Sequence, residues 1–235
     1  MKVLGIIPAR GGSKGIPRKN LAPVAGRSLL AWTIDAATAA RSLSRLVLST
    51  EDHEIAEQGR MMGVEVPFLR PEGLSADDTA MLPVLVDVVD RLAAEQGFET
   101  EVVVLLQPTS PLRRATHIDE AVAKLIATGA DSIVSVVAVP HQFTPTSVMR
   151  EENGQLRPYD GTASATRRQD KPALWARNGP AVLAVRAAVL RAGSLYGADS
   201  RPMAMHERES IDIDTAFDLE LADWLLRRTF TDRSA

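Results

Sequence analysis

Val3 to Pro8, Val102 to Leu106 and Ile133 to Val139 are short, almost unbroken apolar runs, each of strand length and each followed by a loop-forming segment. Strands buried on both faces read this way, and they occur almost entirely in parallel sheets covered by helices. Leu46-Val47-Leu48, Val64 to Leu69 and Ala181 to Val185 read as further strands. Between the runs, apolar residues return at helical spacing: Leu29, Ile34 and Ala37, then a stretch around Glu54 to Met62, then Leu82, Leu85, Val89 and Leu92. Asp77 and Asp78 put negative charge ahead of the last of these. Thr116 and Asp119 make a capping-box pattern before Ile118, Val122, Leu125 and Ile126, which are expected on one buried face. Thr215 and Asp218 repeat the pattern before a final helix expected to bury Phe217, Leu221, Trp224 and Leu225. The alternation predicts an α/β fold: a mostly parallel, twisted sheet covered by helices, in a single domain over residues 1–235.

Residues 141–178 break the alternation. They are polar and rich in Arg, Pro and Gly, and they predict an inserted arm or lid that leaves the main sheet. A chain of 235 residues, 45% of them hydrophobic, can bury a stable core unaided. It has no cysteine, which excludes thiolate catalysis, disulfides and cysteine-ligated zinc. A net charge of −3 is unlike the basic surface of a dedicated nucleic-acid binder. No stretch approaches the roughly 18 apolar residues of a membrane span. The first run is too short for a signal-peptide core, so a cytoplasmic location is expected.

Three loops carry candidate chemistry. Ala9 to Asn20 follows the first predicted strand, at the carboxyl edge where α/β sheets bind ligands. Gly11, Gly12 and Gly15 let backbone N–H groups approach phosphate oxygens, and Arg10, Lys14, Arg18 and Lys19 supply countercharge. Neither the Walker A spacing nor G-x-G-x-x-G is present. Leu105 to Arg113 follows another strand, places Gln107 at the same edge, and is stiffened by Pro108 and Pro111. In Ser210 to Thr215, an extended backbone puts the Asp212 and Asp214 carboxylates on one face, a pairing suited to a hard cation such as Mg²⁺. By itself, an Asp-x-Asp before a helix is more often a cap than a metal site.

Ala9 to Leu21 resembles the signature loop of the acylneuraminate cytidylyltransferase family, which includes CMP-sialic acid synthetases. Leu105 to Arg113 resembles the family's second signature and Ser210 to Thr215 its metal motif, so the likeness runs from Val3 to about Leu226. It implies a Rossmann-like nucleotidyltransferase fold with a small dimerisation arm, and a reaction moving CMP from CTP to the anomeric hydroxyl of a sialic-acid-like 2-keto sugar acid, with release of pyrophosphate. Arg10, Ser13, Lys19 and Asn20 are then implied CTP contacts, Arg10 and Lys19 neutralising charge that develops on the phosphates. Thr79 is implied near the base and ribose, and Gln107 near the nucleotide or the acidic sugar. Asp212 and Asp214 are the implied Mg²⁺ ligands, with Arg10, Lys19 and Asp214 as the catalytic set.

On the sugar side, Arg167-Arg168-Gln169 and Arg177-Asn178-Gly179 resemble segments in which an arginine holds the substrate carboxylate. Arg168 is the first choice, with Arg167 and Arg177 beside it. The resemblance also implies a homodimer in which the arm exchanges contacts and Arg168 serves a neighbouring site. Two departures bear on the acceptor. Pro180-Ala181-Val182 stands where the sialic acid enzymes carry an aromatic residue, and Gln142 to Pro145 where they commonly carry a lysine. His141 is the one histidine considered for the pocket. The alternatives are a 3-deoxy-manno-octulosonate or other sugar nucleotidyltransferase, an Asp-x-Asp glycosyltransferase, and a nucleotide-binding protein without catalysis.

Overall fold

The computed structural model describes residues 1–13, 15–159 and 173–231. The first half runs β1 (Val3–Pro8), β2 (Pro23–Val24), β3 (Arg27–Ser28), α1 (Leu29–Thr38), β4 (Arg45–Ser49), α2 (His53–Met61), α3 (Met81–Gln96) and β5 (Val102–Leu105). There follow α4 (Ala115–Thr128), β6 (Ser132–Ala138), β7 (Met149–Glu152), β8 (Gln155–Pro158) and β9 (Trp175–Arg177). The chain then continues through β10 (Leu183–Arg186), α5 (Ala187–Arg191), β11 (Ser200–Ala204) and α6 (Ala216–Thr231). A seven-stranded sheet has the order β11-β6-β10-β5-β1-β4, with β9 pairing β6 off that path. β1 lies parallel between β4 and β5, and β11 is parallel to β6. Only β9 and β10 run against the rest, so the sheet is mostly parallel as expected.

Side-chain alternation builds two core layers from one sheet. Val3 and Ile7 of β1 and Val102 and Val104 of β5 pack with Leu30 and Ile34 of α1, Ile55 of α2, and Ile118, Val122 and Leu125 of α4. Leu4, Ile6, Val103 and Leu105 face the opposite layer, with Leu85, Val88, Val89 and Leu92 of α3 and Leu190 of α5. A third cluster seats α6 through Ala222 and Leu226 on Val24, Leu29 and Trp32. Ser28 caps α1 by accepting from the Ala31 N–H at 3.1 Å, and Asp52 caps α2 through the Ile55 N–H at 3.0 Å.

Several expectations are corrected. Val64 to Leu69 is not a strand: it makes a single β-bridge, Val47–Glu65, beside the Arg45–Glu65 ion pair and the packing of Val64 in the core, because Pro67 cannot donate to a ladder. Thr116 and Asp119 do not cap α4. The helix starts after Arg114, whose N–H donates to His117 Nδ1 at 3.2 Å, and Asp119 accepts instead from the Arg41 and Ser42 N–H groups. Ile126 is exposed, since the buried stripe of α4 is Ile118, Ala121, Val122 and Leu125. Asp77 and Asp78 precede α3 without capping it; Ala80 is its N-cap. Leu225 is buried on α6 as expected, but Phe217 and Trp224 are exposed, and Ala222 and Leu226 complete the buried side instead. The Thr215–Asp218 box does form, with Asp218 accepting from the Thr215 N–H at 2.7 Å and donating its own N–H to Thr215 Oγ1 at 3.3 Å. Within 141–178, β7 and β8 make a separate hairpin, but β9 returns to the main sheet, so the excursion ends before Trp175. Among the described residues no helix is long and apolar enough to cross a membrane.

Candidate active site

β1 and β5 are adjacent and parallel, so the loops leaving their carboxyl ends emerge side by side. The Asp-x-Asp segment joins them because the Ile213 N–H donates to the Thr109 carbonyl at 2.9 Å. A cavity of about 380 Å³ opens there, lined by Arg10, Ser13, Lys19, Asn20, Thr79, Gln107, Asp212 and Asp214 among others. Eight of the eleven candidate site residues named from the sequence therefore share one cavity.

The first loop is held by its own chemistry. A Cβ at Gly15 would lie 2.7 Å from the Asp214 carbonyl oxygen, so only glycine permits that approach. The Gly11 N–H donates to Glu51 Oε1 at 2.7 Å, and Asn20 Nδ2 to the Arg10 carbonyl at 2.8 Å. Arg18, in the left-handed region with φ 52°, pairs with Asp52 and Glu54 and so anchors the loop instead of facing the cavity. Lys19 crosses to the third loop, its Nζ donating to the Ile213 carbonyl at 2.7 Å and to Asp214 Oδ1 at 3.1 Å. Arg10 is ion-paired with Asp77 on the opposite wall.

Asp212 is the electrostatically unusual group. Burial raises its pKa above the ordinary carboxylate value, and Asp214 adds to the rise, while the nearby Thr109 hydroxyl and Lys19 offset part of it. Its Oδ1 is buried and makes no hydrogen bond of good geometry. A buried, unpartnered carboxylate oxygen beside a second carboxylate fits a divalent cation, and Mg²⁺ is held by one or two carboxylates with waters and phosphate oxygens completing the octahedron. Among the described residues there is no cluster of three or more His, Cys, Asp or Glu that would form a closed metal cage.

Two arginines escaped the sequence reading. Arg70 lines the cavity although nearly buried, its Nε donating to Ser49 Oγ at 3.1 Å and its Nη2 to the Ser49 carbonyl at 2.5 Å. Arg113 lies beneath the second loop, where Nη1 donates to the carbonyls of Gln107 at 3.0 Å and Ala181 at 2.8 Å. The sequence offers a lone cation closing an apolar segment for Arg70 and one of two adjacent arginines for Arg113, and neither pattern distinguishes a buried arginine from a solvated one. Gln107 Nε2 in turn reaches the Gly179 carbonyl at 3.4 Å. Arg177 is not brought to this cavity: it stands on β9 with its guanidinium 5.0 Å from the Tyr196 ring centre. His141 does not line the cavity. Arg167 and Arg168 lie outside the described residues.

The fold of this chain is shared with a solved structure. The structure of CMP:2-keto-3-deoxy-manno-octonic acid synthetase complexed with CTP aligns with a TM-score of 0.73 over 97% of this chain and 100% of that one, at 16% identity, a likeness of fold. The chain belongs to the cytidylyltransferase family, whose profile matches residues 4–226. It is 31% identical over 227 residues to the CMP-N,N'-diacetyllegionaminic acid synthase of Legionella pneumophila, covering 96% of this chain and 97% of that protein. It is 30% identical to the pseudaminic acid cytidylyltransferase of Campylobacter jejuni, with 97% of each chain covered. The match to an N-acylneuraminate cytidylyltransferase of Streptococcus agalactiae is 33% identical and covers 93% of this chain but 52% of that protein, so the chain spans about half the length of that relative.

Proposed function

We propose that this chain is a Mg²⁺-dependent cytidylyltransferase that transfers CMP from CTP to the anomeric hydroxyl of a sialic-acid-like 2-keto sugar acid and releases pyrophosphate. The observation that supports this reading is the contact of Lys19 with both Ile213 and Asp214, which puts the cationic glycine loop and the paired carboxylates on one cavity. Arg10 and Lys19 bind the triphosphate and neutralise the charge that builds on it as pyrophosphate leaves. Ser13 and Asn20 orient the phosphates, Thr79 and Arg70 line the nucleoside side, and Gln107 faces the acceptor. Asp212 and Asp214 hold Mg²⁺, which would polarise the α-phosphoryl group. Among the described residues no histidine lines the cavity, so positioning and charge neutralisation carry the rate.

Relatives named for legionaminic, pseudaminic and N-acylneuraminic acids favour a nine-carbon 2-keto acid as acceptor. The test is pyrophosphate release from CTP or GTP with a panel of such acids, including 3-deoxy-manno-octulosonate. Turnover that needs CTP, Mg²⁺ and a nine-carbon acid is expected, and Asp214→Ala should lower kcat roughly 100-fold or more. Full turnover in that variant would remove the metal assignment, and hydrolysis of a nucleotide-sugar without pyrophosphate would point to a glycosyltransferase.

A homodimer accompanies this reading. The β7–β8 hairpin stands apart from the main sheet with Met149, Leu156 and Tyr159 exposed, a surface suited to a second copy.

A further inference from the structure

A second cavity, of about 540 Å³, shares no lining residue with the one described above. Three guanidiniums line it, those of Arg114, Arg208 and Arg228, against one carboxylate, Glu209. That carboxylate is already engaged: it accepts from Arg114 Nη2 at 2.7 Å and lies 3.4 Å from His117 Nε2. Arg208 and Arg228 have no carboxylate partner among the described residues. Many other surface arginines are ion-paired, Arg27 with Asp35, Arg45 with Glu65, Arg91 with Glu95, Arg191 with Asp90 and Arg201 with Asp199, whereas Arg157 and Arg177 contact Gln155 and the Tyr196 ring. Unmatched positive charge facing a concave hollow lowers the free energy of an anion there.

The cavity also offers a flat apolar wall. Trp224 is half-exposed on α6, and the Arg228 guanidinium stands 4.9 Å from its ring centre. An exposed indole can receive a planar ring by stacking while neighbouring guanidiniums take a phosphate. We propose that this cavity is a second binding site for a nucleoside phosphate, with Trp224 against the base and Arg208 and Arg228 on the phosphate.

The test is CMP binding by titration calorimetry, with Trp fluorescence as a second readout. Two CMP molecules per wild-type chain are expected, one per chain in Lys19→Ala, and one per chain in Arg208→Glu/Arg228→Glu with at least tenfold weaker binding at the second site. The double variant should keep its pyrophosphate-releasing turnover, which also shows that it folds. Trp224→Leu should abolish the quench that accompanies the second event. Wild-type stoichiometry in the double variant, or inorganic phosphate binding there as tightly as CMP, overturns the proposal. Loss of the proposed function looks different: wild type and Lys19→Ala would then each bind one CMP, removed only by the Arg208→Glu/Arg228→Glu change.

Discussion

Arg113 is buried, and burial lowers its pKa to about 9. Its Nε and Nη2 have no partner, yet Nη1 joins the loop after β5 to the segment entering β10. A charge placed there at such desolvation cost is a clamp on the backbone around Gln107. Arg113→Met is expected to strip the Ala181 carbonyl of this donor and to leave the Gln107 carbonyl with only the Ser110 N–H at 3.4 Å, to cost about 2 kcal/mol and to lower Tm by roughly 4–8 °C. A scanning calorimeter would show it, and an unchanged Tm would remove the clamp. Asp212 is the converse case, since its buried oxygen beside Asp214 is a liability without a cation. In chelator, Asp212→Asn should raise stability by about 0.5–1 kcal/mol while turnover falls, the usual conflict between a site and its fold.

At the scale of elements, α4 shows how a helix end depends on tertiary partners. Its first turn is held by His117 Nδ1 accepting from the Arg114 N–H, which requires a neutral ring. Burial lowers the pKa of His117 from its ordinary 6.5, with Glu209 opposing and Arg114 assisting. The unfolded chain therefore takes up this proton near pH 6.5 while the folded one does not until lower pH, so stability falls as pH drops through that window. The slope is at most about 1.4 kcal/mol per pH unit. His117→Gln should flatten the Tm profile between pH 6.5 and 5, and an unaltered profile would assign the acid sensitivity elsewhere. α6 carries the complementary lesson: Phe217 and Trp224 have helical spacing but face outward, because the cluster of Val24, Leu29 and Trp32 meets Ala222 and Leu226.

Across the whole molecule, the site exists because β1, β5 and the segment before α6 end at one edge. The β7–β8 hairpin adds little to that core, and Leu156→Asp with Tyr159→Asp should convert a dimer to a monomer in light scattering while leaving Tm of the main transition nearly unchanged. A monomeric wild type would dismiss the dimer. The apolar runs and their period were enough to write β1, β4, β5, β6, β10 and most helices from residues alone, because burial on two faces leaves a continuous hydrophobic signature. The glycine loop, Gln107 and the Asp-x-Asp pair were legible for a related reason: close backbone approach and paired charge demand particular residue types at short spacing. What the tertiary structure alone decided is which cation faces which partner. Lys19 and Asp214 meet across 195 positions, Arg18 turns to Asp52, Arg70 and Arg113 are buried, and Arg177 leans on Tyr196. Long flexible side chains find their partners through the packing of distant segments, and no local pattern records that choice.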